Sequence, residues 1–97
     1  MPTYVTLINW TDQGIRTIKE SPKRLDAAKK ELQKLGGELK AFYMTQGAFD
    51  ALLILEVPND EVVAQFLLKT GSYGNVRTTT LKAYPEPEYR KIMEALG

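Results

Sequence analysis

The alternation of hydrophobic and polar residues along the chain predicts four strands. β-Branched and aromatic residues concentrate in four short runs that are bounded by glycine, proline, asparagine or aspartate. These runs cover residues 3–10, 38–45, 49–57 and 75–84. The two middle runs are separated by Gln46-Gly47-Ala48, which is short enough for a hairpin connection.

Apolar residues three and four positions apart predict helices between and after these strands. The first stripe ends at Gly36-Gly37 and the second at Gly71. Ser21-Pro22 interrupts the first stripe, but serine as an N-cap with proline in the first turn restarts a helix as readily as it ends one. The stripe positions are Ile15, Ile18, Leu25, Ala28, Leu32 and Leu35, then Val63, Phe66, Leu67 and Thr70, then Tyr89, Ile92, Met93 and Leu96.

The predicted order of elements is βαββαβ with a further helix after the last strand. This order is typical of the α+β ferredoxin-like fold, in which an antiparallel sheet carries two helices on one face. A chain of 97 residues is long enough for one hydrophobic core. We therefore expect a single domain over residues 1–97.

The face of the sheet that the two helices leave uncovered is predicted to be apolar as well. Following the alternation of each strand, we expect this face to carry Ile8, Trp10, Phe42, Met44, Leu52 and Ile54. Burial of these side chains would contribute about 10 kcal/mol, which a monomer would lose. We therefore predict that two sheets pack face to face in a homodimer or a higher homo-oligomer. In the alternative, the C-terminal helix folds across this face of its own chain.

Four polar residues are predicted to meet at one end of the sheet, because the first two strands end where the last two begin. They are Asn9, Tyr43, Asp50 and Arg77. The alternation of the strands is expected to point Asn9, Tyr43 and Arg77 into the space between sheet and helices, beside the start of the first helix. An amide, a phenol and a cation there indicate a small ligand pocket.

The same residues also have a structural interpretation, which the sequence leaves open. Arg77 pairs in this case with Asp12 or Asp50. Asn9 caps the turn from strand to helix, and Tyr43 lies at the edge of the core with its hydroxyl in water.

The composition excludes several kinds of chemistry. The chain contains no cysteine and no histidine, so thiolate or imidazole metal sites, histidine-held haem and Ser-His-Asp or Cys-His catalysis are excluded within it. We expect no metal and no cofactor. Thirteen basic and twelve acidic residues give a net charge of +1, which provides no strong field for nucleic acid or an anionic membrane.

The sequence also lacks the patterns of a signal peptide or a membrane helix. Its first residues have neither a basic start nor a long apolar stretch. The longest apolar run, residues 51–55, is much shorter than a bilayer requires. We expect a cytoplasmic protein.

Three stretches of the sequence resemble the GYD family of small bacterial and archaeal proteins, named for a Gly-Tyr-Asp signature. They are residues 4–11, 47–50 and 71–78, and the signature reads Gly47-Ala48-Phe49-Asp50 with phenylalanine in the aromatic place. The family is similar to the dimeric α+β barrel proteins, which implies a homodimer. Some members of that superfamily are oxygenases without metal or flavin that use residue types found here as Asn9, Trp10, Tyr43 and Arg77.

These observations favour a non-catalytic module that binds a small molecule or a partner. The candidate ligand-binding residues are Asn9, Trp10, Tyr43, Asp50 and Arg77. The alternative is a cofactor-independent monooxygenase or isomerase of an aromatic or enolisable compound, with Arg77 holding a developing oxyanion and Asn9 or Tyr43 positioning it. RNA binding across the sheet is disfavoured, because the third strand offers Phe49 alone as a stacking aromatic.

Overall fold

The computed structural model describes residues 1–97 and has the predicted order of elements. The strands are β1 (Thr3–Trp10), β2 (Glu38–Met44), β3 (Ala51–Glu56) and β4 (Val76–Ala83). The helices are α1 (Asp12–Arg16), α2 (Ser21–Lys34), α3 (Asp60–Ser72) and α4 (Glu86–Ala95), with a 3₁₀ turn at Ile18–Glu20 between α1 and α2. None of the helices combines the length and the apolar composition needed to cross a lipid bilayer.

The four strands form one antiparallel sheet in the order β2-β3-β1-β4. The central strand β1 pairs with β3 and β4, so that Val5 lies opposite Ile54 on one side and Leu81 on the other. Helices α2 and α3 pack on one face, which we call the inner face, and we call the opposite face the outer face. The predicted α+β ferredoxin-like fold is confirmed.

The hydrophobic core lies between the inner face and helices α2 and α3. Its largest fully buried apolar side chains are Phe66, Leu32 and Leu55. Each such side chain contributes about 1.5–3 kcal/mol through its burial. The inner positions of β3 and of the residue after it are those that the alternation predicted: Ala51, Leu53, Leu55 and Val57.

The first strand presents the opposite face to the one predicted. Tyr4, Thr6 and Ile8 are buried against the helices, and the intervening residues of β1 lie on the outer face. Trp10 follows the same alternation and also lies on the inner side. The prediction that Ile8 and Trp10 lie on the uncovered face is therefore wrong.

The buried polar residues of β1 have hydrogen-bond partners inside the protein. The Tyr4 hydroxyl donates to Asp60 Oδ1 on α3. The Thr6 and Thr80 hydroxyl oxygens lie 2.9 Å apart on neighbouring strands and share a hydrogen bond. Because these buried groups have partners, burying them leaves no hydrogen bond unmade.

A β-bulge reverses the faces in the second half of β2. Leu39, before the bulge, lies on the inner side as predicted, but the register shifts between Leu39 and Ala41. After the shift, the strand pairing places Phe42 and Met44 on the inner side and Tyr43 on the outer face. The predicted faces of these three residues are wrong, because a bulge adds a residue to the strand without a sign in the alternation.

The middle of the outer face is mostly apolar, and no other part of the chain covers it. Helix α4 does not fold across it, since every residue from 84 to 97 is exposed. Of the six side chains predicted for this face, only Leu52 and Ile54 lie on it. The apolar residues of the outer face are Val5, Leu7, Ala41, Leu52, Ile54 and Leu81.

The first predicted helix is divided, and its N-terminal part packs against the loop between α3 and β4. The Thr11 hydroxyl caps α1 by accepting from Gly14 N at 3.1 Å, and it donates to Gly74 O at 2.6 Å. A side chain does not fit at Gly14, where a Cβ would lie 2.0 Å from Asn75 O. Ile15 is 48% exposed, so it does not belong to the buried stripe as predicted.

Candidate functional site

The polar residues predicted at one end of the sheet do not share a pocket. Asn9 and Arg77 lie directly opposite each other on β1 and β4, and both are on the outer face. Tyr43 lies opposite Leu52, also on the outer face. The prediction that these three residues point between sheet and helices is wrong, because the faces of β1 and β4 and the bulge in β2 turn them outward.

Asp50 and Asn9 instead hold the connection between β2 and β3. Asp50 Oδ2 accepts a hydrogen bond from Trp10 N at 3.0 Å, and Asp50 N donates to Ile8 O at 2.8 Å. In the orientation that satisfies both polar atoms of its amide, Asn9 Nδ2 donates to Ala48 O at 3.1 Å. Both residues therefore fix the chain where β1 ends.

Arg77 is exposed and forms neither of the ion pairs considered for it. The four ion pairs of the chain involve neither Asp12 nor Asp50. Arg77 therefore contributes its positive charge to the molecular surface beside Asn9, and not to a pocket under the helices.

A groove with a volume of about 410 Å³ lies between α2, α3 and the inner face of the sheet. It is situated at the end of the sheet where β1 ends and β4 begins, and we call it the inner groove. Most of its lining residues are apolar. Its large apolar side chains include Ile8, Trp10, Leu25, Phe42, Leu53 and Phe66.

Small residues explain why this space is left open. Ala27 and Ala28 line the groove from α2, and Ala51 lies beneath them on β3. One turn further along α2, Leu32 is fully buried and fills the corresponding space. Short side chains therefore leave the space between α2 and the sheet unfilled at this end.

Trp10 is the one predicted ligand-binding residue that lines the inner groove. It is also the only tryptophan in the chain, so its fluorescence reports on this site alone. Ile8 and Phe42, which were predicted for a dimer interface, line the same groove. The residues that were predicted to meet in a pocket and those that form one are thus almost entirely different.

An ion pair connects the two helices at the groove. Lys69 Nζ on α3 donates to Glu31 Oε1 on α2 at 2.7 Å. The hydrogen bond and the charge of Lys69 lower the pKa of Glu31, and the same contact raises the pKa of Lys69. Both side chains are partly exposed, so the pair lies toward solvent and is screened by it.

Arg24 lines the groove near the start of α2 and holds α1 in place. Its Nη2 donates to Gly14 O at 3.2 Å and to Thr17 O at 3.3 Å, and Nη1 donates to the Thr17 hydroxyl at 3.3 Å. These acceptors are neutral, and Arg24 takes part in none of the four ion pairs.

Sequence reasoning missed the polar residues of the inner groove. Arg24 and Glu31 lie four residues before and three residues after Ala28, which itself belongs to the predicted stripe of α2. This spacing, together with alanine where leucine is found elsewhere in the stripe, was the available signal. No cluster of three or more aspartate or glutamate side chains that would suit a metal ion is found in the structure.

Comparison with known proteins identifies relatives along most of the chain. The family model described as GYD domain matches residues 4–93. The chain is 34% identical over 86 residues to the glutamine synthetase and cystathionine beta-lyase binding protein of Thermus thermophilus, and the match covers 88% of this chain and 90% of that protein.

Solved structures with the same fold include regulatory proteins of Mycobacterium tuberculosis. A feast or famine regulatory protein in complex with L-methionine has a TM-score of 0.67 at 16% identity, over 88% of this chain and 51% of that one. The leucine response regulatory protein has a TM-score of 0.57 at 18% identity, over 87% and 51%. This chain thus spans about half the length of both proteins.

A protein of Arabidopsis thaliana also shares the fold, with a TM-score of 0.61 at 11% identity, over 88% of this chain and 95% of that one. At these identities the structural likeness shows the fold alone. The family model and the Thermus relative go further, because they match nearly the whole chain in sequence. The chain belongs to the GYD domain family, as the resemblance of its sequence predicted.

Proposed function

We propose that this chain is a non-catalytic binding module that takes a small molecule in the inner groove and forms a homodimer through its outer face. The observation that carries the proposal is the groove itself, with its volume of about 410 Å³. Small-molecule sites typically measure about 300–1,000 Å³ and are mostly apolar with a few placed polar groups. The lining of the inner groove fits this description.

Two of the similar proteins support a binding role. The Thermus relative is named as a binding protein of glutamine synthetase and cystathionine beta-lyase. The feast or famine regulatory protein was solved with L-methionine. We extend to this chain the property of binding another molecule, and the two enzymes bound by the Thermus relative are candidates for its protein partners.

No observation favours the alternative of a cofactor-independent monooxygenase or isomerase. That function requires Arg77, Asn9 and Tyr43 to surround one substrate. The three residues lie on the outer face, and Asn9 is already used to hold the β2–β3 connection. The inner groove contains none of them.

The outer face supports the homodimer. Val5, Leu7, Leu52 and Ile54 retain part of their apolar surface there, since no helix covers them. At about 25 cal/mol per Å² of apolar surface, covering this face would contribute on the order of several kcal/mol. A second copy offers a surface of the same shape and chemistry, and two sheets pack well at about 10 Å.

The proposal is tested by filling the groove. We expect at least one of phenylacetate, phenylacetamide and phenethylamine to change Trp10 fluorescence in a saturable way. The variant Ala28→Phe should abolish this response, because its ring occupies the space between α2 and the sheet. Ala64→Phe on the exposed side of α3 adds the same ring outside the groove and should respond like the unmodified protein.

Circular dichroism shows whether Ala28→Phe keeps its fold, and Ala27→Leu is a milder filling variant if it does not. Failure of all three compounds to perturb Trp10, or an unchanged response in both filling variants, contradicts the proposed site.

A further inference from the structure

The inner groove contains one cation that no carboxylate neutralises. The charged side chains in its lining are Arg24, Glu31 and Lys69. Glu31 and Lys69 neutralise each other across 2.7 Å. Arg24 contacts only backbone carbonyl groups and a threonine hydroxyl, so the groove has an excess of one positive charge.

The guanidinium of Arg24 has donors left for a ligand. Its three hydrogen bonds to Gly14 and Thr17 use both N–H groups of Nη2 and one of Nη1. The Nε–H and the second N–H of Nη1 remain. The bonds that exist also hold the side chain in one orientation, so binding a further acceptor costs little side-chain entropy.

The rest of the groove suits a ligand body without charge. The neutral polar residues Ser21, Thr70, Tyr73 and Asn75 belong to the lining, and the aromatic rings of Trp10, Phe42 and Phe66 line it together with aliphatic side chains. An ionised group placed over these rings would lose its hydration without gaining a partner. Arg24 therefore provides the one unpaired charge in the lining for the ionised end of a ligand.

We propose that the inner groove binds amphiphilic monocarboxylates, in which an aromatic or branched aliphatic body ends in a single carboxylate. The carboxylate binds to Arg24 and the body lies over Trp10 and Phe42. A second carboxylate would meet the apolar floor or Glu31, and an ammonium group would be repelled by Arg24. This ligand class rests on the proposed function, since it specifies what the same groove binds.

The three phenyl compounds separate the contribution of charge from that of the apolar body. Phenylacetate, phenylacetamide and phenethylamine share the ring and differ in carrying a negative charge, no charge and a positive charge. From the strength of hydrogen bonds between charged groups, we expect phenylacetate to bind about tenfold more tightly than phenylacetamide. Phenethylamine should bind least. Titration of Trp10 fluorescence gives the three dissociation constants.

The variant Arg24→Gln tests whether Arg24 causes the preference for phenylacetate over phenylacetamide. This variant should bind phenylacetate and phenylacetamide with equal affinity, so that the ratio of the two dissociation constants falls from about ten to about one. Lys30→Gln removes the same charge from an exposed position of α2 outside the groove and should keep the tenfold preference. Since Arg24 also holds α1, Arg24→Lys serves as a second variant that retains the cation, and it should retain part of the preference.

The possible outcomes distinguish the ligand class from the site. A preference for phenylacetate that disappears in Arg24→Gln and persists in Lys30→Gln supports the proposal. Equal binding of the acid and the amide, stronger binding of the amine, or a preference that survives in Arg24→Gln overturns the ligand class and leaves the groove as a binding site. Failure of all three compounds to bind overturns the site as well.

Discussion

The inner and outer faces of the sheet carry similar residues in different surroundings. On β3, the inward Leu53 and Leu55 are 4% and 0% exposed beneath the helices. Leu52 and Ile54 on the same strand point outward and remain partly exposed. Hydrophobicity alone therefore does not decide which face of this sheet forms the core.

The neighbouring strand β1 buries polar residues on the inner face. Tyr4 and Thr6 are inside because Asp60 and Thr80 provide hydrogen-bond partners for them. Apolar residues occur in both phases of β1, and these two hydrogen bonds remove the cost of burying the phase that contains Tyr4 and Thr6. The outer face has Asn9 and Arg77 in contact with solvent at one end, a mostly apolar surface in the middle, and Glu38 and Glu56 at the other end.

The largest expected effect comes from truncating the same residue type on each face of β3. Leu55→Ala should lower the free energy of unfolding by about 2–5 kcal/mol, since it leaves a cavity in a fully packed region. Leu52→Ala should cost about 1 kcal/mol, because its side chain is only partly removed from water in a single chain. Urea denaturation at a protein concentration low enough to give monomers measures both values. Equal losses would contradict the distinction between the two faces.

A charge on the outer face should separate two copies of the chain. We expect Ile54→Lys to weaken the dimer about 30-fold or more, as for a residue at the centre of an interface. Gln65→Lys introduces the same charge at an exposed position of α3 and should leave the association unchanged. Sedimentation equilibrium measures both. If the unmodified protein sediments as a monomer at micromolar concentration, the homodimer proposal is wrong.

The smallest expected effect concerns pH and the ion pair at the inner groove. Lys69 holds the pKa of Glu31 below its ordinary value of 4.5, so the pair stabilises the fold above that pH and loses this contribution as the pH falls through the lowered pKa. Glu31 likewise holds the pKa of Lys69 above 10.5, and the contribution is lost again as the pH rises through that raised pKa.

Glu31→Gln should therefore lower the melting temperature slightly at neutral pH and not at all in strong acid. Thermal unfolding followed by circular dichroism over this pH range tests the expectation. Glu94→Gln removes a carboxylate that has no ion pair and should show no such pH dependence. A difference between the unmodified protein and Glu31→Gln that is as large in acid as at neutral pH would contradict this account.

Much of the fold could be predicted from the sequence, because local signals mark the ends of its elements. Gly36-Gly37 ends α2 near the predicted position, and Asn59 caps α3 by accepting from Val62 N at 2.9 Å. The faces of the strands could not be predicted in the same way. A residue such as Phe42 changes face through a bulge that depends on pairing with β3 and has no local sequence signal.

The inner groove could not be predicted from the alternation of the strands either, because it also depends on contacts between elements. Its existence depends on Ala27 and Ala28 lining the space between α2, α3 and the sheet, which is a property of how these elements pack and not of α2 alone. Trp10 was identified as a candidate because it lies at the end of β1 and is a residue type that oxygenases of the similar superfamily use, although it was assigned to the wrong face. Arg24 was missed because it resembles any other cation of a basic helix until its contacts with α1 are known.

The close approach of Gly14 to Asn75 ties together the two walls of the inner groove. Asn75 O occupies the place of a side chain at position 14, so the backbone of α1 lies directly on the loop that leaves α3. Arg24 on α2 donates a hydrogen bond to Gly14 O, which connects α2 to the same short helix. The backbone approach at Gly14 and the hydrogen bond from Arg24 thus connect α2 and α3 through α1, and neither contact involves Phe42 or Thr70, so those two side chains can be exchanged to alter what fits in the groove while both contacts are kept.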